Sequence, residues 1–207
     1  SICNHPSPMF LTGDTVMEGQ KLLPPSIKFP LFPFLAALYL PVFPISYLAR
    51  HYYDKKSKKN RKIRPSVWSG VSHTAPISSF SLDEHLMSCL ETMEKIGLYI
   101  MLFSILSLYL FKLPLPGPDL FKPALMGFLE ITTGIRNICE HASGLSGLLL
   151  VTASVSFGGI SGIFQTRSVL TMHSGRKNAG LSIRHYIFWK ALHSLLSCVF
   201  FWILLKI

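Results

Sequence analysis

At 207 residues, 49% of them hydrophobic and only 14% charged, the chain falls well below the one-quarter charged residues usual in soluble domains. Its formal net charge of +10 sits on residues that flank apolar runs instead of alternating with base-stacking aromatics, which sets aside a nucleic-acid partner in favour of a lipid bilayer. Four cysteines and eight histidines lie scattered, without a CxxC pair or helical metal-site spacing, so no metal and no cofactor is expected. Cys139-Glu140-His141 does not alter this, because adjacent residues point in different directions on a helix.

The first apolar run, Phe29 to Ala49, is uncharged and about as long as a bilayer span. Pro30, Pro33, Pro41 and Pro44 predict a kinked or broken helix there, tolerable only where neighbouring helices or water satisfy the freed carbonyls. Arg50 closes the run. Lys55, Lys56, Lys58, Lys59, Arg61, Lys62 and Arg64 follow in a basic loop over 50–80, a cytoplasmic marker with anionic-lipid binding as a secondary use. Its second part, Ser69 to Ser81, is rich in Ser and Pro and reads as a connection.

Ser81 is the expected cap of the next helix, with Asp83 and Glu84 in its first turn and Leu86, Leu90, Met93 and Ile96 at helical spacing. Glu91, Glu94 and Lys95 hold that part at the interface, and the uncharged stretch from Ile96 to Phe111 enters the bilayer. Leu113-Pro-Leu-Pro-Gly-Pro118 ends it on the far side. After Lys122 the apolar run to Ile135 is too short to span, and Thr132, Thr133 and Gly134 weaken a helix. Ala142 to Thr166 is long and uncharged, but Phe157-Gly-Gly-Ile-Ser-Gly162 lies near its centre and predicts an interrupted helix over 142–171. Arg167, Arg176, Lys177 and Arg184 bracket a polar loop. Tyr186 to Leu205 is the last span, with Trp189 and Trp202 near its ends and Lys190 placed to snorkel from its first turn.

Charge fixes the orientation. The first span ends at the basic cluster, so the helix ending at Phe111 runs outward, and the basic loop around Arg176 belongs inside. A full crossing by residues 119–138 puts that loop outside; a hairpin that enters and leaves on one side keeps every basic loop inside. The expectation is an all-α polytopic membrane protein, one membrane domain over 1–207, with about four spans and a re-entrant hairpin over 119–138.

That hairpin holds Gly127-Phe-Leu-Glu-Ile-Thr-Thr-Gly134, with a lone carboxylate at Glu130. A charge at bilayer depth costs several kcal/mol unless paired, hydrated or protonated, and re-entrant backbone needs protein or a water-filled cavity around it. Glu130 therefore belongs beside an aqueous site, to which the Gly158-Gly159 break adds unwound backbone, with Ser156, Ser161 and Gln165 nearby. Two plainer readings stand beside this one. Gly158, Gly159 and Gly162 can serve helix packing alone, and Glu130 can sit at the hairpin's surface as a helix-end charge.

The pieces Cys3-Asn-His-Pro-Ser-Pro-Met-Phe10, Ile96-Gly-Leu-Tyr-Ile-Met-Leu-Phe-Ser104, Gly127 to Gly134 and Ser156-Phe-Gly-Gly-Ile-Ser161 running on to Gln165 cover most of the chain in order. In these the chain resembles the sporulation integral membrane protein of the YlbJ type, of the nucleoside-recognition or Gate group; Leu98 departs from a glycine of that pattern. The resemblance implies one repeat of a fold like that of the concentrative nucleoside transporters. Residues 119–138 are then its second hairpin, 142–171 the interrupted helix after it, and Asn4-His-Pro-Ser-Pro8 the interruption of the first repeat. It also implies that the chain, which starts at Ser1 within a motif, is the C-terminal half of a longer protein. The resemblance further implies a setting in endospore formation, in cortex assembly and heat resistance, at the cell membrane of a spore-forming bacterium.

Two function classes follow. In the first, a transporter-like permease binds a small polar solute between Glu130, Thr132 and Thr133 on the hairpin and Asn4, Gly158, Gly159, Ser161 and Gln165 opposite, coupled to H+ or Na+. In the second, a non-transporting scaffold recruits spore-envelope machinery through the basic loop. A homo-oligomer is compatible with either. An enzyme is not expected, because no nucleophile–base order, carboxylate pair or phosphate loop is present.

Overall fold

The structure is a computed structural model that describes residues 6–61, 82–114, 117–172 and 183–206. Asn4, Cys3, Lys62, Arg64, the connection over 69–81, and Arg176 with Lys177 lie outside the described residues. Helix is the only regular secondary structure among the described residues. Two short helices, α1 (Pro8–Thr12) and α2 (Asp14–Gln20), precede α3 (Leu31–Tyr39) and α4 (Val42–Arg61). Then come α5 (Leu82–Lys112), α6 (Phe121–Leu129), α7 (Ile131–His141), α8 (Gly144–Phe157), α9 (Gly159–Met172) and α10 (Ile183–Leu204).

Four stretches are long and apolar enough to cross a bilayer: Leu31–Tyr53, Leu86–Lys112, Gly144–Ser168 and Ile183–Leu204. This fits a multi-pass membrane protein. The first stretch is broken between α3 and α4, and the prolines explain how. Pro30 caps α3 and Pro33 lies in its first turn; Pro41 precedes α4 and Pro44 lies in its first turn. First-turn N–H groups have no intrahelical acceptor, so a proline there forfeits nothing, whereas mid-helix it removes a hydrogen bond. At this break the Leu38 carbonyl accepts a hydrogen bond at 2.9 Å from Nε2 of the fully buried His193 on α10.

α6 and α7 have nine and eleven residues, about 14 and 17 Å of helix, each half of a bilayer core. They fold back on each other around Glu130. Gly134 faces the Gly127 backbone so closely that any Cβ at 134 overlaps it, and a Cβ at Gly127 meets the Ser154 hydroxyl of α8. The two glycines thus set the approach of the hairpin arms and seat the hairpin on α8. The arms reach His141, three residues beyond the expected boundary at 138, because the helix continues to an extended residue at Ala142.

The core lies among α3, α7, α8 and α10. Phe34, Ala37 and Leu38 meet Ile135, Ile138, Val151, Val155 and Phe201, with Leu11 and Leu22 closing one side. Phe34 stacks edge-on to both Phe29 and Phe201. α5 packs against α9 and the hairpin and leaves most of its apolar surface uncovered, with only 11% of its span buried. An apolar helix of bilayer length with that exposure is suited to lipid contact.

Candidate functional site

Two helix interruptions define the site. The first is at Glu130, whose backbone is extended (φ −143°, ψ 128°) while its N–H closes α6 on the Met126 carbonyl and its carbonyl accepts from Gly134 N–H to open α7. Its side chain is the N-cap of α7. One carboxylate oxygen accepts from Thr132 N at 3.0 Å, and the other from Thr133 N at 2.9 Å, Thr132 Oγ1 at 2.6 Å and Thr133 Oγ1 at 2.9 Å. Ser104 of α5 adds a longer contact at 3.5 Å. A carboxylate at a helix N-terminus answers both the orphan N–H groups and the positive end of the helix dipole. That is how a side chain only 1% exposed remains tolerable here. Thr132 and Thr133 do not weaken the helix as expected, because their hydroxyls complete the cap.

The second interruption is at Gly158, which ends α8, and Gly159, which begins α9. Both are left-handed, at φ 78° and 70°, a region that a residue with a Cβ enters only at a cost. A Cβ on Gly159 lies 3.1 Å from the Leu129 carbonyl and 3.5 Å from both Glu130 Cα and Ile131 N. The two interruptions therefore touch, one packed on the other.

A cavity of about 190 Å³ opens beside this contact. Of the residues expected at a site, Glu130, Thr132, Gly158, Ser161 and Gln165 line it. Gln165 Nε2 donates to Ser161 Oγ at 2.9 Å, one turn apart on α9. Thr133 contributes to the carboxylate cap and Gly159 to the backbone contact, and neither lines the cavity. Asn4 lies outside the described residues, although Pro6, two positions on, is in the lining.

The lining also includes Tyr186 and Lys190 of α10, which sequence reasoning left out. Lys190 is the clearest correction: it does not snorkel to an interface but is 2% exposed and faces inward. Its Nζ lies 3.5 Å from the Ser156 carbonyl in the last turn of α8, and 3.9 Å from where a Cβ on Gly158 would stand. A cation there complements the negative end of the α8 dipole. A signal for it was present, since Lys190, His193, Ser194 and Ser197 recur with the spacing of one helix face in a segment otherwise built for lipid. That face is turned inward: Ser194 Oγ donates to the Ala153 carbonyl at 3.0 Å and Cys198 Sγ approaches the Leu149 carbonyl at 3.7 Å. On the cavity's rim, Tyr186 OH lies 3.3 Å from Thr166 Oγ1.

The site thus holds two buried charged residues, each at the helix end of opposite sign. Its cavity is small, with polar groups of Glu130, Thr132, Ser161, Gln165, Tyr186 and Lys190 set in a largely apolar lining, and it brings together no group of three or more potential metal ligands among the described residues. No protein-family model, curated protein or solved structure matches the chain.

Proposed function

We propose that the chain is a transporter-like permease in which a small polar solute, coupled to H+ or Na+, binds between the two helix interruptions. The observation that carries this reading is the packing of Gly159 on Leu129 to Ile131, which joins breaks from two separate helical segments beside one cavity that several polar side chains reach. An interruption in a membrane helix gives up backbone hydrogen bonds and is tolerated only inside protein or beside water. Secondary transporters bring such interruptions together to build a midplane site, and this arrangement supports a re-entrant α6–α7 hairpin in one repeat of a concentrative-nucleoside-transporter-like fold. The endospore setting and cortex role belong to the same proposal and rest on the resemblance to the YlbJ type alone. The cavity, at about 190 Å³, is below the 300–1,000 Å³ of pockets for drug-sized ligands, in keeping with a small solute.

Replacing Glu130 with Gln does not discriminate well between a permease and a scaffold, because the substitution also weakens the α7 cap. Water access does. In the full chain, with its native cysteines replaced and reconstituted in vesicles, single cysteines at 161 and 165 are expected to react with a membrane-impermeant maleimide from at least one side. A cysteine at the fully buried Val151 is the protected control. Protection of 161 and 165 to the level of 151 sinks the permease reading and leaves a packed scaffold.

A further inference from the structure

Resting on the permease reading, we infer that a file of bound water molecules fills the seam between α5 and α7. It joins the break at Glu130 to the far end of the hairpin at His141, and it admits a bare cation but not the solute. The two helices are pinned together at two points. At the inner one, Ser104 Oγ of α5 lies 3.5 Å from a carboxylate oxygen of Glu130. At the outer one, Phe111 meets the His141 ring edge-on, with centroids 5.5 Å apart. Ser104, Ser107 and Phe111 follow one another at helical spacing and share one face of α5. Asn137 stands one turn before His141 and shares its face of α7. Ile100, one turn before Ser104, lines the cavity, so the seam begins where the cavity ends.

Between the two pins stand buried polar groups with nothing to bond. Ser107 is fully buried and Asn137 is 9% exposed, yet neither Ser107 Oγ nor Asn137 Oδ1 has a hydrogen-bond partner among the described residues. A buried polar atom left so costs about 1–3 kcal/mol, and folded proteins commonly answer it with ordered water. A hydroxyl can instead turn back to a carbonyl of its own helix, as Thr152 and Ser156 do on α8, but Ser107 does not. Ser104 is a third loose point, since 3.5 Å is the outer limit of a hydrogen bond and a separation at which a bridging water competes. From Ser104 to Phe111 the seam runs about 10 Å along α5, the length of three or four waters in file. His141 is exposed at the outer end and donates from Nδ1 to the Asn137 carbonyl at 3.0 Å, which carries the polar row to the surface. Full burial of Ser107 keeps the row one molecule wide, and the Glu130 carboxylate at its inner end favours a cation.

The test compares two positions that are equally buried. Ser107→Cys and Val151→Cys, both fully buried, are made in the full chain with its native cysteines replaced and reconstituted in vesicles. Each is reacted with Ag+, a bare cation of about sodium's size, in nitrate buffer, and then with a bulky trimethylammonium methanethiosulfonate. Ag+ is expected to react at 107 faster than at 151 by roughly a hundredfold or more, because entering a dry interior costs a cation several kcal/mol. The bulky reagent should leave 107 untouched. Asn137→Leu keeps the shape of the side chain and removes its hydrogen bonding; it should slow Ag+ at 107 by roughly tenfold, the effect of one lost hydrogen bond to the file. The same substitution should not change the rate at Gln165→Cys, in the cavity. The inference is overturned if 107 reacts no faster than 151, if the bulky reagent also reaches 107, or if Asn137→Leu leaves the rate at 107 as it was. Reaction at 165 with silence at 107 overturns this inference alone, whereas silence at both overturns the permease reading with it. If Asn137→Leu does not fold, the rates at 107 and 151 with the two reagents decide.

Discussion

The interruption at Glu130 and the one at Gly158-Gly159 solve the same problem in opposite ways. Each leaves helix ends unsatisfied away from bulk water. At Glu130 the remedy is local: a carboxylate and two threonines within three residues close the N-terminus of α7 on themselves. At Gly158-Gly159 it is distant: glycines permit the turn, Lys190 of α10 reaches the Ser156 carbonyl in the last turn of α8, and the hairpin backbone supports Gly159 from outside. The first break is a self-contained motif. The second exists only in the assembled fold.

The comparison makes the largest effect fall on the local cap. Glu130→Ala leaves buried donors without an acceptor and should cost roughly 2–3 kcal/mol of stability, with Glu130→Gln costing about half as much because one carbonyl oxygen remains. Denaturant midpoints in mixed micelles measure both; equal stability of Glu130→Ala and wild type would show that the cap is not what holds the hairpin. Next come the left-handed glycines. Gly158→Ala should lose about 1 kcal/mol from backbone strain alone, and Gly159→Ala about 2 kcal/mol, because its Cβ also presses on the Leu129 carbonyl. Thermal unfolding of the two variants side by side checks the order, and a reversed order would contradict the contact between the breaks. Gly162→Ala should show the smallest change, a gain of up to about 1 kcal/mol, since the site is helical and a Cβ there meets nothing within 4 Å among the described residues. A loss there on the same unfolding assay would restore the packing role for Gly162.

These outcomes also bear on how much was legible in the sequence. The four membrane-length segments followed from apolar length, which a bilayer imposes on any chain that crosses it. The Gly158-Gly159 break was visible because two adjacent glycines in an apolar run have little purpose in a continuous helix. Glu130 drew notice as an isolated charge, yet its work as a buried cap was not read, since the helix-end alternative placed it at the hairpin's surface. The spacing Glu-x-Thr identifies a helix start only once the chain is known to turn there. Lys190 was misplaced for a related reason: a lysine in the first turn of a span normally extends to the interface, and its inward direction depends on how α10 rotates against α8. Rotation about a helix axis is decided by packing between segments far apart in sequence. The serines and histidine on the same face as Lys190 were the available hint.

The contact between the two breaks has one more consequence. It gathers four helix ends in one place: the C-termini of α6 and α8 and the N-termini of α7 and α9. The first two present about half a negative charge each and the other two about half a positive charge, so the backbone sum is close to zero. Electrically the scaffold is a blank plate. The sign of the field at this contact is therefore set by the side chains around it, Glu130 and Lys190 first among them, and not by the arrangement of the helices.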